Sequence, residues 1–390
     1  MKINVPEIHQ ENQRTRLSAR IQVDHSDPQF PPELWFSLRG KEQDAHSTMA
    51  DPFLVGMLPI AMMLGEDITV AGRVSTRLAH GLEQYQQILM AWWPDFFNHV
   101  EIEYRDLQSR RESPRPAGVG CSFSGGVDSF YTVFTQLAPQ PDTDDFRLTH
   151  ALMVNGFDQI VDFEDTGSSK RLHDVYRPML EKLGVRLLMI DSNLKFFRDA
   201  VFNAHELARS YGSPLSACVH ACQKIFGRFS LSGHATYAYQ DLEPLGSHPV
   251  LDHHLSTDQL QMIHYGSATS RVEKLRYLTR FPEVRESLRV CFNDVRFDET
   301  HGTVVNCCRC EKCVRTIVTL DILGMTKEFR SFPLQFPMAA YMQPQALAAS
   351  KSVFLRDNLR LARREGRQDW VQSLEQGLQL RKMMTSKKSG

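Results

Sequence analysis

The chain is short of several things that would have decided its class at once. Nowhere in its 390 residues does an apolar run approach the roughly 20 residues that a membrane-crossing helix needs. The opening Met1-Lys2-Ile3-Asn4-Val5-Pro6 lacks the long apolar stretch and small-residue cleavage site of a secretory signal, so a cytoplasmic location with no membrane partner is expected. Charge of neither sign predominates: 45 Lys and Arg stand against 46 Asp and Glu, a formal net charge of −1. Bulk electrostatics therefore lend no support to nucleic-acid binding, which needs a clustered basic surface. Only the tail from Lys351 onward is locally basic, with Arg356, Arg360, Arg363, Arg364, Arg367, Arg381, Lys382, Lys387 and Lys388, and it reads as a solvated helical face. Contact with RNA or an acidic partner is the alternative there. No internal repeat or low-complexity segment is evident, which excludes a solenoid.

What is present is a chain with 42% hydrophobic and 23% charged residues, long enough for two globular domains and an appendage. Residues 1–113 alternate strand-like segments with helical ones and read as a small α+β domain of unknown role. The polar, proline-punctuated Arg110-Arg111-Glu112-Ser113-Pro114-Arg115-Pro116 is a linker. Residues 114–335 repeat strand, loop and helix, starting with the buried strand Gly118–Phe123 and including helices near 170–183, 196–210 and 215–226. That alternation predicts an α/β fold, a parallel sheet with helices on both faces and ligands beyond the carboxyl ends of its strands. Residues 336–390 read as a helical extension.

The glycine loop Ser124-Gly125-Gly126-Val127-Asp128-Ser129 follows a strand and opens a helix. Two adjacent glycines let the backbone approach an anion, amide N–H groups converge on it, and the helix N-terminus adds partial positive charge. Ser122, Ser124 and Ser129 can offer hydroxyls. Asp128 would repel a bare anion and makes sense if Mg²⁺ bridges it to phosphates. No Gly-Lys-Ser or Gly-Lys-Thr follows, so this is not the Walker loop.

Eight cysteines in a cytoplasmic chain are not expected to be disulfides, and they are unevenly spread. Cys307-x-x-Cys310-x-x-Cys313 supplies three thiolates at knuckle spacing, and Cys291 is the obvious fourth ligand of a closed, structural zinc site. Cys308, next to a ligand, would point away. A persulfide carried on Cys308 or Cys310 is the competing use. Cys218 and Cys222, with His220 between them, share a helix face and read as buried small residues, with a second metal or a thiol pair as the alternative.

Together the loop and the cysteines resemble the PP-loop ATP pyrophosphatases, the adenine nucleotide alpha hydrolases, and within them the 7-cyano-7-deazaguanine synthase branch, over about residues 118–325. That branch carries Ser-Gly-Gly-x-Asp-Ser and ends in Ser-Cys-Tyr, then Cys-Gly-x-Cys-x-x-Cys and a nearby Arg. The matching positions here are Cys291, Cys307, Cys310, Cys313 and Arg315, with Cys308 where the family has Gly. The resemblance implies a HUP-like fold with a zinc knot, and use of ATP, Mg²⁺ and Zn²⁺. It also implies a ligase-type reaction: a carboxylate or carbonyl oxygen of an acceptor is adenylated with release of pyrophosphate, and an amine or ammonia then displaces AMP. Lys274, in Arg271-Val272-Glu273-Lys274, matches a family lysine expected to act with Asp128 and Ser129. Gly156, Asp158, Gly233 and His234 match adenine or substrate contacts loosely. The segment that would recognise a deazaguanine has changed, to Gly246-Ser247-His248-Pro249-Val250-Leu251-Asp252, so the acceptor is an open small molecule or protein. Residues 1–113 have no counterpart in the synthase and are free to dock a partner or a second copy. Competing readings are ATP-dependent sulfur insertion, which needs a reactive cysteine among Cys121, Cys218, Cys222 and Cys308, and a nucleotide sensor without turnover.

Overall fold

A computed structural model describes residues 1–11, 14–24, 30–39, 45–109, 113–138, 144–157, 163, 167–203, 206–237, 243–291 and 295–386. The first third supplies strands β1 (Lys2–Ile3), β2 (Glu7–Glu11), β3 (Arg14–Gln22), β4 (Glu33–Arg39), β5 (Ile68–Ser75) and β6 (Ile102–Gln108). Between them run helix α1 (Asp51–Leu64) and helix α2 (Thr76–Trp92). α1 is apolar all round, and Asp51 through Met62 are buried, as a helix without a polar face must be. Its Asp51 carboxylate accepts from the Ser75 N–H (2.8 Å) and hydroxyl (2.7 Å), tying the start of α1 to the start of α2.

The middle of the chain mostly alternates strand and helix: β7 (Gly118–Ser122), α3 (Val127–Leu137), β8 (His150–Asn155), α4 (Ser168–Lys182), β9 (Arg186–Ser192), α5 (Leu194–Asp199), α6 (Gly212–Ala221), β10 (Phe226–Ser232), β11 (Gln261–Tyr265) and α7 (Arg271–Leu278). The order across the sheet is β9-β8-β7-β10-β11, every neighbour parallel. In chain order that is 3-2-1-4-5, the doubly wound arrangement whose direction reverses between β7 and β10. The helix expected over 196–210 is broken: α5 ends at Asp199, and the Asn203 side chain accepts the Glu206 N–H (3.2 Å), starting a separate turn.

The first 113 residues, read from the sequence as a small α+β domain, contribute their strands to the same sheet. β4 lies antiparallel against β9 (Ser37 opposite Asp191), β3 against β4, and β1, β5 and β6 continue outward, while β2 lines the same edge of β3 as β1. The result is one 11-stranded sheet, mixed and mostly parallel. The physical reason is that β9 would otherwise expose a full row of backbone donors and acceptors. The seam is sealed by Asp191, fully buried, which accepts from Arg39 Nε (2.7 Å) and Nη2 (2.8 Å), Arg14 Nη1 (3.3 Å) and Asn155 Nδ2 (2.7 Å).

Beyond α7 come α8 (Pro282–Ser287), the hairpin β12 (Arg296–Asp298) and β13 (Thr303–Val305), and α9 (Glu311–Ile322). α10 (Met338–Tyr341), α11 (Pro344–Ala348), α12 (Ser352–Arg364) and α13 (Gln368–Ser386) follow. These helices share one apolar core with α3, α4, α7 and α9, whereas α1, α2 and α6 share another. Trp370 of α13 is fully buried and donates to Asp321 (2.8 Å), so the extension is docked.

Candidate functional site

The switch point between β7 and β10 opens a crevice beyond the carboxyl end of β7, and the glycine loop occupies it. Gly125 has φ +74°, and a Cβ there would lie 2.1 Å from the Tyr176 hydroxyl oxygen, so glycine is required by conformation and by space. The Gly125 carbonyl accepts the Arg289 N–H (2.8 Å), and Tyr176 donates to the Ser287 carbonyl (3.0 Å), which ties the loop to the segment leading into Cys291. Ser124 is exposed at the mouth and Val127 is buried beneath it. Ser129 is buried instead: its Oγ accepts the N–H groups of Ser124 (3.3 Å) and Gly126 (3.1 Å) and donates to the Gly126 carbonyl (3.1 Å). Its hydroxyl shapes the loop. Ser122 Oγ accepts the Ser232 N–H (3.1 Å) and bridges β7 to β10 below the mouth.

Asp128, in the first turn of α3, meets two cations. Arg271 Nη1 donates to Oδ2 at 2.5 Å and Lys274 Nζ to Oδ1 at 3.1 Å. Ser270 caps α7 by accepting the Glu273 N–H (3.3 Å), and the helix then presents positions 271 and 274, one turn apart, to the loop. Lys274 is fully buried, and its Nζ also donates to the Gly233 carbonyl at 2.5 Å. Burial would raise the Asp128 pKa, but Arg271 and Lys274 outweigh it and hold the carboxyl far below the usual carboxylate range. Two cations against one carboxylate leave the mouth positive, which fits a phosphate chain. A Mg²⁺ held by Asp128 would have to displace Arg271 or Lys274, so the carboxylate does not stand as a free metal ligand.

Gly233 is a junction. A Cβ there would lie 2.4 Å from His264 Nε2 and 2.6 Å from Ser267 Oγ, so glycine is the residue that fits. Behind it, buried Asp252 lies 2.7 Å from His264 Nδ1, and His264 Nε2 lies 2.8 Å from Ser267 Oγ. This has the bond pattern of a Ser-His-Asp nucleophile, but Ser267 is only 2% exposed, so it acts as a clamp behind Gly233. α2 braces that clamp: a Cβ on its Gly81 would lie 2.0 Å from the carbonyl of His254, two residues past Asp252. His234 is exposed beside the loop, and its Nδ1 lies 3.1 Å from the Tyr211 hydroxyl. Crowding by the surrounding protein lowers its pKa, against the upward pull of Asp128. Gly156 follows β8 with φ +110°, and a Cβ there would lie 2.3 Å from the Ser192 carbonyl, so it serves close backbone packing. Asp158 lies outside the described residues.

The cysteines converge as their spacing predicts. One ligand atom each from Cys291, Cys307, Cys310 and Cys313 lies within 4.8 Å of the others. The separations Cys307–Cys313 (3.8 Å), Cys291–Cys310 (3.9 Å) and Cys310–Cys313 (3.4 Å) match the roughly 3.8 Å edge of a tetrahedron with Zn–S bonds of about 2.3 Å. Cys307 Sγ accepts the N–H groups of Arg309 (3.5 Å) and Cys310 (3.3 Å), which folds the knuckle. Asn306 fixes the distant ligand: its Oδ1 accepts the N–H groups of Val290 (2.9 Å) and Cys291 (3.0 Å), and its Nδ2 donates to the Leu288 carbonyl (2.8 Å). Cys308 is buried with φ +55°, in the left-handed region, and its thiol donates to the Asn306 carbonyl (3.5 Å), away from the four. The group could hold a metal such as zinc.

Compared with family models, curated proteins and solved structures, the chain matches none. The functional reading therefore rests on the site. Arg271, Asn306 and the Asp252–His264–Ser267 clamp were not singled out from the residues, because each acts through a partner remote in sequence. A Ser before an Arg-x-x-Lys turn was the one local signal, since it is a helix start that aims both cations the same way.

Proposed function

We propose that this chain is a PP-loop ATP pyrophosphatase acting as an AMP-forming ligase: it binds ATP at the glycine loop, adenylates a carboxylate or carbonyl oxygen of an acceptor, and transfers an amine or ammonia. The observation that carries the reading is the meeting of Arg271 and Lys274 with Asp128 of the glycine loop at the carboxyl end of the central strand, at the switch point of a 3-2-1-4-5 sheet. Attack of the acceptor oxygen on the α-phosphorus breaks the bond to the bridging oxygen of the leaving pyrophosphate. Charge develops on that pyrophosphate, so fixed donors and cations at the loop stabilise the transition state more than the ground state. Arg271 and Lys274, held by Asp128, need no reorganisation to do this. Mg²⁺ would accompany the phosphates and neutralise them further; Asp128 as placed positions the two cations. A zinc ion in the four-cysteine group has no open position for chemistry and would brace the loop through Cys291 and Arg289.

The chemistry of the thiols favours this reading over sulfur insertion. Cys121, Cys218, Cys222 and Cys308 are all buried, and burial pushes the thiols of Cys121, Cys218 and Cys308 up, the reverse of what a sulfur carrier needs. The test is product analysis with ATP and acceptor: AMP and pyrophosphate support the reading, and stoichiometric ADP and orthophosphate sink it. ATP binding without turnover under every acceptor condition would make the chain a sensor.

A further inference from the structure

The run Glu101-Ile102-Glu103-Tyr104-Arg105-Asp106-Leu107 alternates between two environments, as a strand with one face on a core must. Ile102 and Tyr104 are half-buried against the core that α1 and α2 share, whereas Glu101, Glu103, Arg105 and Leu107 are exposed on the other face. β6 pairs with β5 and is the last strand of the 11-stranded sheet on that side, so its far edge meets no strand among the described residues. A free edge is a row of backbone donors and acceptors open to another chain. Proline and lysine, which commonly blunt such an edge, are absent from the seven residues of β6. Its remaining guard is charge, and the charges are of both signs: Arg105 Nε lies 3.4 Å from Glu103 Oε1 on the exposed face.

We propose that the free edge of β6 docks a second copy of this chain, added antiparallel about a two-fold axis through Tyr104, so that the two sheets run into one. The charge pattern selects both the partner and the register. An axis normal to the sheet keeps each copy's exposed face on the same side, so residues facing one another across the seam share a face. Centred on Tyr104, it sets Glu103 of each copy opposite Arg105 of the other, Glu101 opposite Leu107, and Tyr104 opposite Tyr104. Each Glu103 then has an Arg105 along its own strand and another across the seam, an alternating square of four charges. The neighbouring centres all bring like charges directly opposite: Glu101 against Glu103 at 102, Glu103 against itself at 103, Arg105 against itself at 105 and Asp106 against itself at 106. A single pair of strands is small beside the roughly 1,200 Å² of a stable interface, so the dimer is a weak one, with dissociation in the micromolar range. The seam lies at the opposite side of the sheet from the glycine loop and does not depend on how that loop is read.

The experiment is sedimentation equilibrium of the full chain from about 1 µM to about 500 µM, for wild type, Glu103→Arg, Arg105→Glu and the double variant Glu103→Arg/Arg105→Glu. Melting temperature is followed in each at the lowest concentration and should not change, because both side chains are exposed. Wild type should pass from monomer to dimer within that range. Either single reversal puts like charges opposite one another twice and should weaken the dimer by at least about tenfold, whereas the double reversal re-forms both pairs and should return to within about threefold of wild type. A chain that stays monomeric throughout overturns the proposal. A dimer equally tight in wild type and both single reversals lies on another surface and overturns it too, and a double reversal no tighter than the single ones overturns the register.

Discussion

The four-cysteine knot and the glycine-loop site are built in opposite ways. The knot takes its ligands from one stretch, Cys291 to Cys313, and its bonds close on themselves. The loop site collects Asp128 from α3, Gly233 from the end of β10, Arg271 and Lys274 from α7 and Tyr176 from α4. A local, closed cluster without an open coordination position is suited to holding a fold together. A dispersed one, with cations brought from afar to face an exposed loop, is suited to holding a ligand. The two meet at Arg289, whose N–H grips Gly125 two residues before Cys291.

Substitutions can break that contrast, beginning with the largest effect. Serine at Cys291, Cys307, Cys310 or Cys313 should remove zinc and lower the melting temperature together, because metal binding is coupled to folding; metal analysis and thermal unfolding on the same preparations check this. Zinc retained in any of the four variants would mean the ligand set is wrong. Lys274→Met should abolish AMP formation, a loss of at least about a hundredfold in kcat, while zinc stays bound.

Asp128→Asn should touch both function and stability, since it leaves Arg271 and Lys274 less compensated, at a cost of about 3 kcal/mol. The sign with pH follows from the depressed carboxyl. Its stabilisation is full above the unfolded value of about 4 and fades only as pH falls toward the lower folded value. Denaturant unfolding of wild type and Asp128→Asn should therefore show a constant gap from neutral pH to about pH 4 that closes in stronger acid. A gap that closes near neutrality would contradict the pairing. Gly233→Ala should cost about 1–3 kcal/mol, because the added methyl meets His264 and Ser267. The smallest effect is at Cys308. Serine there should leave zinc and activity in place, and glycine should relieve the left-handed backbone by up to about 1 kcal/mol, offset by the small void it leaves.

How far each region was legible from the residues follows from the same contrast. The knot was readable because its spacing is its geometry, and the outsider Cys308 was evident from adjacency alone. The loop and its strand-to-helix setting were readable for the same local reason. The partners of Asp128 were not, because a carboxylate in a phosphate loop suggests Mg²⁺ until α7 is folded against it. Nor was the roof of Ser129 over its own backbone, since a hydroxyl in a loop faces inward or outward with no change in sequence pattern. The joining of the first 113 residues to the main sheet escaped for a different reason. It depends on pairing Leu38 with Ile190, and edge pairing between strands so far apart leaves no periodicity to read.

The central claim is that the loop, Arg271 and Lys274 direct cleavage between the α- and β-phosphates of ATP. The most direct test supplies ATP labelled at the α or the γ position to the purified chain, with a small-molecule extract as the source of acceptor and the Lys274→Met variant as background. The account predicts α label in AMP and γ label in pyrophosphate, above that background. Label in ADP and orthophosphate would contradict it.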